Sequence, residues 1–459
     1  MNMKKSKIMA LPLALLMSVT MLSGCAEKAS KNAEEKVITI WSNDRSGMDV
    51  RMKQVEKFNA ENEYGIKIDY QVKGDDLEDS LKVAYQSNNA PDIHVAAGSV
   101  TNYGVENGWF RALDDDLAHK YEDLYLPGAV GFNKDTGKCY TINTSGISSF
   151  KFIWNKDMFR DAGLDPEKPP KTFDEMREYA KILTQKGGGT KYGFALPLKQ
   201  PVFVRYYVTM PGAPSGLYNA DGFDPVGLRY DFTIYEKMID YLKDVINDGS
   251  VFPEPNTLDN DVARAQFAEG NIGMMYAASW DVGVLNDQFP AKCDWGTADF
   301  PTFTGEVVGG NPASMGGSGG FYMNAKSKYP EEQLIVFEWL INEENLKELK
   351  LAGKGNYGLK SIMGEEYITS EKKGAKAFAT VSNPAFIVDT PRLRPTTKIT
   401  LEGDNADTTI KNILIADLDT KTELQKLTDR YNAALKKLGE KTDIEQYRDP
   451  DWTGIEVIE

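Results

Sequence analysis

Residues 37–70 constrain the fold more than any other stretch. VITIW at 37–41 is a β-branched run, broken by Ser42-Asn43-Asp44-Arg45-Ser46-Gly47. Residues 48–59 set Met48, Met52, Val55 and Phe58 on one helical face, and Gly65 ends that element before the alternating IKIDY of 66–70. Strand, helix and strand in that order make a parallel, right-handed βαβ unit. The alternation continues with a helix over 75–87 and a strand over 93–97, so the class is α/β. At 459 residues and 41% hydrophobic content, the chain can build a sizeable core and two or more domains.

Charge and composition exclude whole classes of function. A net charge of −15 gives phosphate-backbone binding no general electrostatic support, so no nucleic-acid partner is expected. With only His94 and His119, a histidine-rich metal site is excluded and histidine catalysis is disfavoured. No metal or cofactor is expected. Twenty-two Tyr, 20 Phe and 7 Trp exceed what a core of this size demands, which suits a cleft that binds by ring stacking.

At the N-terminus Lys4, Lys5 and Lys7 precede an apolar run over 8–22, too short for a comfortable membrane span. It ends in Leu22-Ser23-Gly24-Cys25, which resembles the lipobox of bacterial lipoproteins. That resemblance implies cleavage before Cys25 and lipid on its sulfur. Residues 1–24 are then a signal peptide, and the polar stretch 25–36 a flexible tether. Cys139 and Cys293, far apart in sequence, read as two isolated buried thiols, with a disulfide as the alternative in an exported protein.

The chain is organised around FAEGNIGMMYAASW at 267–280. A helix closes on Gly270, a strand of apolar residues follows, and small residues deliver Trp280 where the strand opens into the next helix. Ligands of open α/β sheets sit beyond the carboxyl ends of the strands. An indole there is a stacking platform for a sugar-like face; a core tryptophan is the plainer reading.

Several motifs occur in one order: VITIWS, FNAEN, IKIDY, APDIHVA, NGWFRALDDDL, GKCY with IWNKD, PPKTFDEM and FAEGNIGMMYAASW. Together, over 37 to about 342, they resemble the extracellular solute-binding proteins of family 1, the maltose-binding-protein-like receptors of carbohydrate ABC importers. The resemblance implies a two-lobe periplasmic-binding-protein-like fold of type II, each lobe a mixed sheet flanked by helices, joined by crossing strands. Lobe 1 would comprise 37–146 and 299–355, and lobe 2 would comprise 147–298 and 356–459. Crossings are expected near 145–150, at 295–303 and after Ala352. It also implies a monomeric, non-enzymatic receptor, lipid-anchored outside the cell membrane, that hands an oligosaccharide to ABC permease subunits.

The resemblance carries site residues as well. Asp44 and Arg45, with Asn43, occupy the loop where the maltose receptor holds sugar hydroxyls with an Asp-Lys pair. Trp280, followed by Asp281, matches the second-lobe stacking tryptophan, and Gln200 begins a looser match to an acidic-Pro-aromatic group. After APDI the chain has Ala96, Ala97, Gly98 and Ser99 in place of the maltose receptor's Trp and Asp-Arg, so maltose itself is disfavoured. Trp41, at a strand's carboxyl end, would supply the missing ring. Gly316 and Gly317, in the glycine-rich run 309–320, would offer backbone a ligand can approach. Arg392 and Arg394 read as surface arginines, residues 219–224 as a polar turn and Asp114-Asp115-Asp116 as an acidic helix start. An exported glycoside hydrolase, or the same fold taking a polyamine or peptide, are the alternatives.

Overall fold

The computed structural model describes residues 35–45, 47–74, 76–95, 100–126, 129–133, 136–144, 147–219, 221–310, 313–315, 320–367, 371–379, 387–388 and 394–456. Cys25, Gly98, Ser99, Gly316, Gly317 and Arg392 lie outside them. Two five-stranded sheets carry the fold, each with its own apolar core.

The first sheet runs Ile66–Val72, Lys36–Ser42, Ile93–Val95, Phe321–Asn324, Phe110–Arg111 in spatial order. The first three are parallel, as the βαβ opening requires, and Phe321–Asn324 is antiparallel to both of its neighbours. The helix Met48–Glu61 packs on this sheet with Val55 and Phe58 of the face its apolar spacing suggests, but turns the two methionines of that face outward. Met48 and Met52 are exposed, while Val50, Arg51, Gln54 and Val55 are buried. Burial of the polar pair is met by hydrogen bonds: Arg51 Nη1 donates to Gln54 Oε1 at 3.0 Å, and Gln54 Nε2 donates to the Asn345 carbonyl at 3.1 Å and to Glu348 Oε2 at 2.8 Å.

In the second sheet Ile147–Asn155 pairs antiparallel with Ile272–Ala278 and with Trp295–Ala298, and Tyr192–Phe194 lies parallel to Ile272–Ala278. Phe152, Trp154, Met274 and Tyr276 face one core, and Ile153, Met275 and Ala277 the other, the period-2 alternation of a sheet covered on both sides. The helix Phe173–Gly187 lies so close to this sheet that a Cβ on Gly193 would meet the Ala180 carbonyl oxygen at 2.0 Å. Thr172 starts that helix in a capping box with Glu175, and Gly188 ends it in a left-handed conformation.

The long helix Glu236–Asn247 begins only after Tyr235, because the residues before it give their backbone donors to another helix. Asn432 Oδ1 accepts from the Tyr230 N–H at 2.8 Å, and Thr428 Oγ1 from the Phe232 N–H at 3.0 Å. The second crossing is not 295–303. Phe300 is buried in the second core, the backbones of Thr302 and Lys171 are hydrogen-bonded, and Phe303 packs on Phe173 at 4.6 Å. The chain leaves the second sheet later, at Ala313–Met315, which pairs antiparallel with Ile147–Ser149 at the start of the long strand. Likewise Leu359 and Ile362 belong to the first core, whereas Ala375 and Phe378 pack with Ile153, Met275 and Ala277 on the other face of the second sheet.

Candidate functional site

The second lobe's wall is built around Trp280. All seven residues of Ile272–Ala278 are buried, the strand follows a left-handed Gly270 (φ +85°), and Trp280 emerges two residues after it ends. Trp280 is 40% exposed and Tyr206 is 39% exposed, high values for rings of this size. Phe150, half-buried on the long strand, lies between them. It meets Trp280 edge-on at 5.6 Å (88°) and Tyr206 face-on at 6.1 Å (12°). Three adjoining rings, two of them open to solvent, form a platform at the end of the sheet.

The turn beneath Trp280 is fastened by charge. Asp281 is 4% exposed; its Oδ1 accepts from Arg264 Nε and its Oδ2 from the Ala278 backbone N–H, each at 2.7 Å. Burial alone would lower the Arg264 pKa, but Asp281, then Tyr207 and Asp261, outweigh it and hold it above the ordinary arginine value. Both carboxylate oxygens of Asp281, a residue expected to meet ligand, thus accept hydrogen bonds that shape the turn. Gln200 precedes the helix Pro201–Gly212 that carries Tyr206, at its N-cap position.

The first lobe's wall is the loop after Lys36–Ser42. Trp41 is half-buried against the first core, and the Lys73 ammonium sits 4.1 Å from its ring centroid, covering a face expected to stack on a sugar. Asn43 is exposed. Asp44 Oδ1 accepts from the Gly47 N–H at 2.8 Å, a bond that turns the loop into the next helix; a Cβ on Gly47 would stand 2.3 Å from Asp44 Oδ2. Arg45 Nη1 reaches across to Asp261 Oδ2 at 2.6 Å, on the helix Asn260–Ala268 that also bears Arg264.

The structure thus groups Trp41, Asn43, Asp44 and Arg45 on one wall, and Trp280, Asp281 and Gln200 with the other. Sequence reasoning missed Phe150, Tyr206, Asp261, Arg264 and Lys73. Only Arg264, three residues after Asp261 on one helix, had a local signal. Among the described residues no group of three His, Cys, Asp or Glu could hold a metal ion. Cys139 and Cys293 are both free thiols, Cys139 buried and Cys293 partly so, with burial pushing the Cys293 pKa up to about 11. Asn219 Oδ1 accepts from the Gly222 N–H at 2.8 Å in a turn that leads into the short strand Phe223–Asp224. Arg394 pairs with Asp221 in the same turn.

Residues 45–347 match the family model for bacterial extracellular solute-binding proteins. The chain belongs to that family. This solute-binding protein is 25% identical to the sn-glycerol-3-phosphate-binding periplasmic protein UgpB of Escherichia coli (strain K12) over 302 residues, 64% of this chain and 67% of that one. Its fold is similar to that of an ABC transporter solute-binding protein from Thermotoga lettingae TMO bound with α-D-tagatose (19% identity, TM-score 0.69, 87% of this chain and 100% of that one). It is also similar to the maltose/maltodextrin-binding domain MalE from Bdellovibrio bacteriovorus bound to maltotriose (19% identity, TM-score 0.66, 87% and 100%). The fold is the two-lobe type II periplasmic-binding-protein fold, and no helix among the described residues is long and apolar enough to cross a membrane.

Proposed function

We propose that this solute-binding protein captures a neutral carbohydrate between its lobes and delivers it to an ABC importer, without chemistry of its own. The observation that carries the reading is the Phe150–Tyr206–Trp280 platform, two of whose rings face solvent. Sugars offer flat apolar faces to rings and hydroxyl rims to polar groups such as Asn43 and Gln200, so both walls have a use. Asp281, next to Trp280 in the chain, and Asp261, joined to it through Arg264, both accept hydrogen bonds from arginines. Neither is placed to hand a proton to a leaving group, which weighs against a glycoside hydrolase. In this reading residues up to 144 and 320–367 form lobe 1, and residues 147–310 with those from 371 onward form lobe 2. Gly98, Ser99, Gly316 and Gly317, outside the described residues, complete the proposed set of ligand contacts. Cys25 carries the lipid that tethers a monomer to the outer face of the cell membrane.

A phosphorylated polyol is the second reading. UgpB is named for sn-glycerol 3-phosphate, and Lys73 donates to Gln71 at 2.8 Å with no carboxylate partner among the described residues. A thermal-shift screen separates the two, since ligand at a hundred times its Kd stabilises the native state by about 2.7 kcal/mol. Maltotriose, raffinose, tagatose and sn-glycerol 3-phosphate are the probes. Stabilisation by a neutral sugar supports the first reading, and stabilisation by sn-glycerol 3-phosphate alone replaces it with the second.

A further inference from the structure

Asp261 divides its carboxylate between two arginines from different lobes. Oδ1 accepts from Arg264 Nη1 at 3.0 Å, and Oδ2 accepts from Arg45 Nη1 at 2.6 Å. Arg264 passes the contact on through Nε to Asp281, which closes the turn beneath Trp280. An unbroken line of hydrogen-bonded charges therefore runs from the first-lobe loop to the base of the Trp280 ring. The four links differ in one respect: those from Asp261 to Arg264, Arg264 to Asp281 and Asp281 to Ala278 lie within one lobe, whereas the link from Arg45 to Asp261 joins the two.

A second charged contact crosses the same boundary. Lys354 Nζ, 2% exposed, stands 2.9 Å from Asp49 Oδ1 at the start of the first-lobe helix and 2.6 Å from Asp287 Oδ2, six residues past Asp281. Burial would raise the Asp287 pKa, but Lys354 and Lys372 together hold it below the usual carboxylate value. Asp287 lies on the helical segment that follows Trp280, where the Val284 N–H donates to the Trp280 carbonyl at 3.4 Å. The Arg45 contact differs in reaching the turn through side chains alone, by way of Asp261, Arg264 and Asp281.

We infer that Asp261 is a positioning residue that couples the approach of the lobes, sensed through Arg45, to the setting of Trp280, transmitted through Arg264 and Asp281. Arg45 then acts on the opposite lobe rather than on the ligand. When the lobes part, Asp261 loses one of two cations and its carboxylate is free to rotate about the remaining one. Arg264 follows it, and the turn under Trp280 loosens. The platform is therefore firm when the cleft is shut and looser when it is open, which favours ligand release from the open form. The inference rests on reading the Trp280 platform as the binding surface, but the coupling itself needs no ligand to be tested.

The test uses the full chain in detergent, without added ligand. Spin labels at Val83→Cys in the first lobe and Val308→Cys in the second, both exposed positions, report the inter-lobe distance by double electron–electron resonance, with Cys293→Ser throughout. In parallel, 5-fluorotryptophan gives a fluorine resonance for Trp280, assigned by its absence in Trp280→Phe. Arg45→Gln should lower the short-distance population roughly two- to fivefold, the size expected of a partly exposed ion pair, and should shift or broaden the Trp280 resonance. Arg45→Lys should restore both, and Asp261→Asn with Arg45→Gln should open the lobes no further than Asp261→Asn alone. An unchanged distance distribution in Arg45→Gln would overturn the inter-lobe contact. A widened distribution with an unmoved Trp280 resonance would overturn the coupling. Either failure leaves the carbohydrate reading intact, because no sugar is present.

Discussion

Replacing Asp281 by asparagine separates a fastening residue from a ligand contact. The carboxylate is buried and satisfies two donors at once, Arg264 Nε and the Ala278 N–H. Asparagine keeps one oxygen and turns an NH2 toward the second donor, so one charge-assisted hydrogen bond is lost, about 1.5–3 kcal/mol. Breaking a buried ion pair from one side costs about 3–5 kcal/mol because the other charge is left uncompensated. Here Asp261 still holds Arg264, whose side chain is 18% exposed, so the lower end applies, roughly 3 kcal/mol. The assay is denaturant unfolding followed by circular dichroism, in which the midpoint should fall with little change in slope. Adding Arg264→Met removes the stranded charge and should recover part of the loss. A single variant within about 0.5 kcal/mol of the parent, the range of ordinary surface substitutions, would refute the fastening role.

Two further outcomes follow from particular residues. His94 is fully buried, its Nε2 on the Tyr85 hydroxyl and its Nδ1 on the Val95 carbonyl, and burial pushes its pKa down to about 4. The unfolded chain, with a histidine pKa near 6.5, then binds the extra proton between about pH 6.5 and pH 4. Stability from this group is whole above that window and falls by roughly 3 kcal/mol across it. With only two histidines, imidazole NMR reads this directly: His94 should titrate near 4, and His119, beside Glu122, above its ordinary value. A His94 midpoint near 6.5 would contradict the burial argument. For Cys25→Ser, fractionation should find the protein released from membranes and still folded, and retention like the parent would remove the lipid anchor from the account.

Features set by neighbours in sequence were legible. The strand over 37–41 and the Gly270 turn each depend on a few adjacent residues, and each stands where the pattern puts it. Features set by tertiary pairing were not. Met48 and Met52 look like a helical core face, yet Arg51 and Gln54 take the interior because Asn345 and Glu348 supply their partners. The crossing at Ala313–Met315 is small and polar, with no apolar alternation to mark it, whereas 295–303 has strand character and belongs wholly to one lobe. Arg45 reads as a ligand contact from its loop, and its partner Asp261 lies 216 positions away. Phe150 and Tyr206 join Trp280 only because the folded chain sets the strand Ile147–Asn155 and the helix Pro201–Gly212 beside it.

The central claim is that the aromatic platform binds the ligand, and calorimetric titration of Trp280→Ala tests it most directly. The titrant is the neutral sugar that gives the largest stabilisation in the thermal-shift screen. Trp280 is 40% exposed and meets Phe150 by its edge, so truncation should cost the unliganded protein only about 1–2 kcal/mol. Loss of stacking should weaken binding by about 1–3 kcal/mol, roughly five- to 150-fold in Kd. Unchanged affinity together with a stability loss of about 3–5 kcal/mol would make Trp280 a core residue and contradict the account.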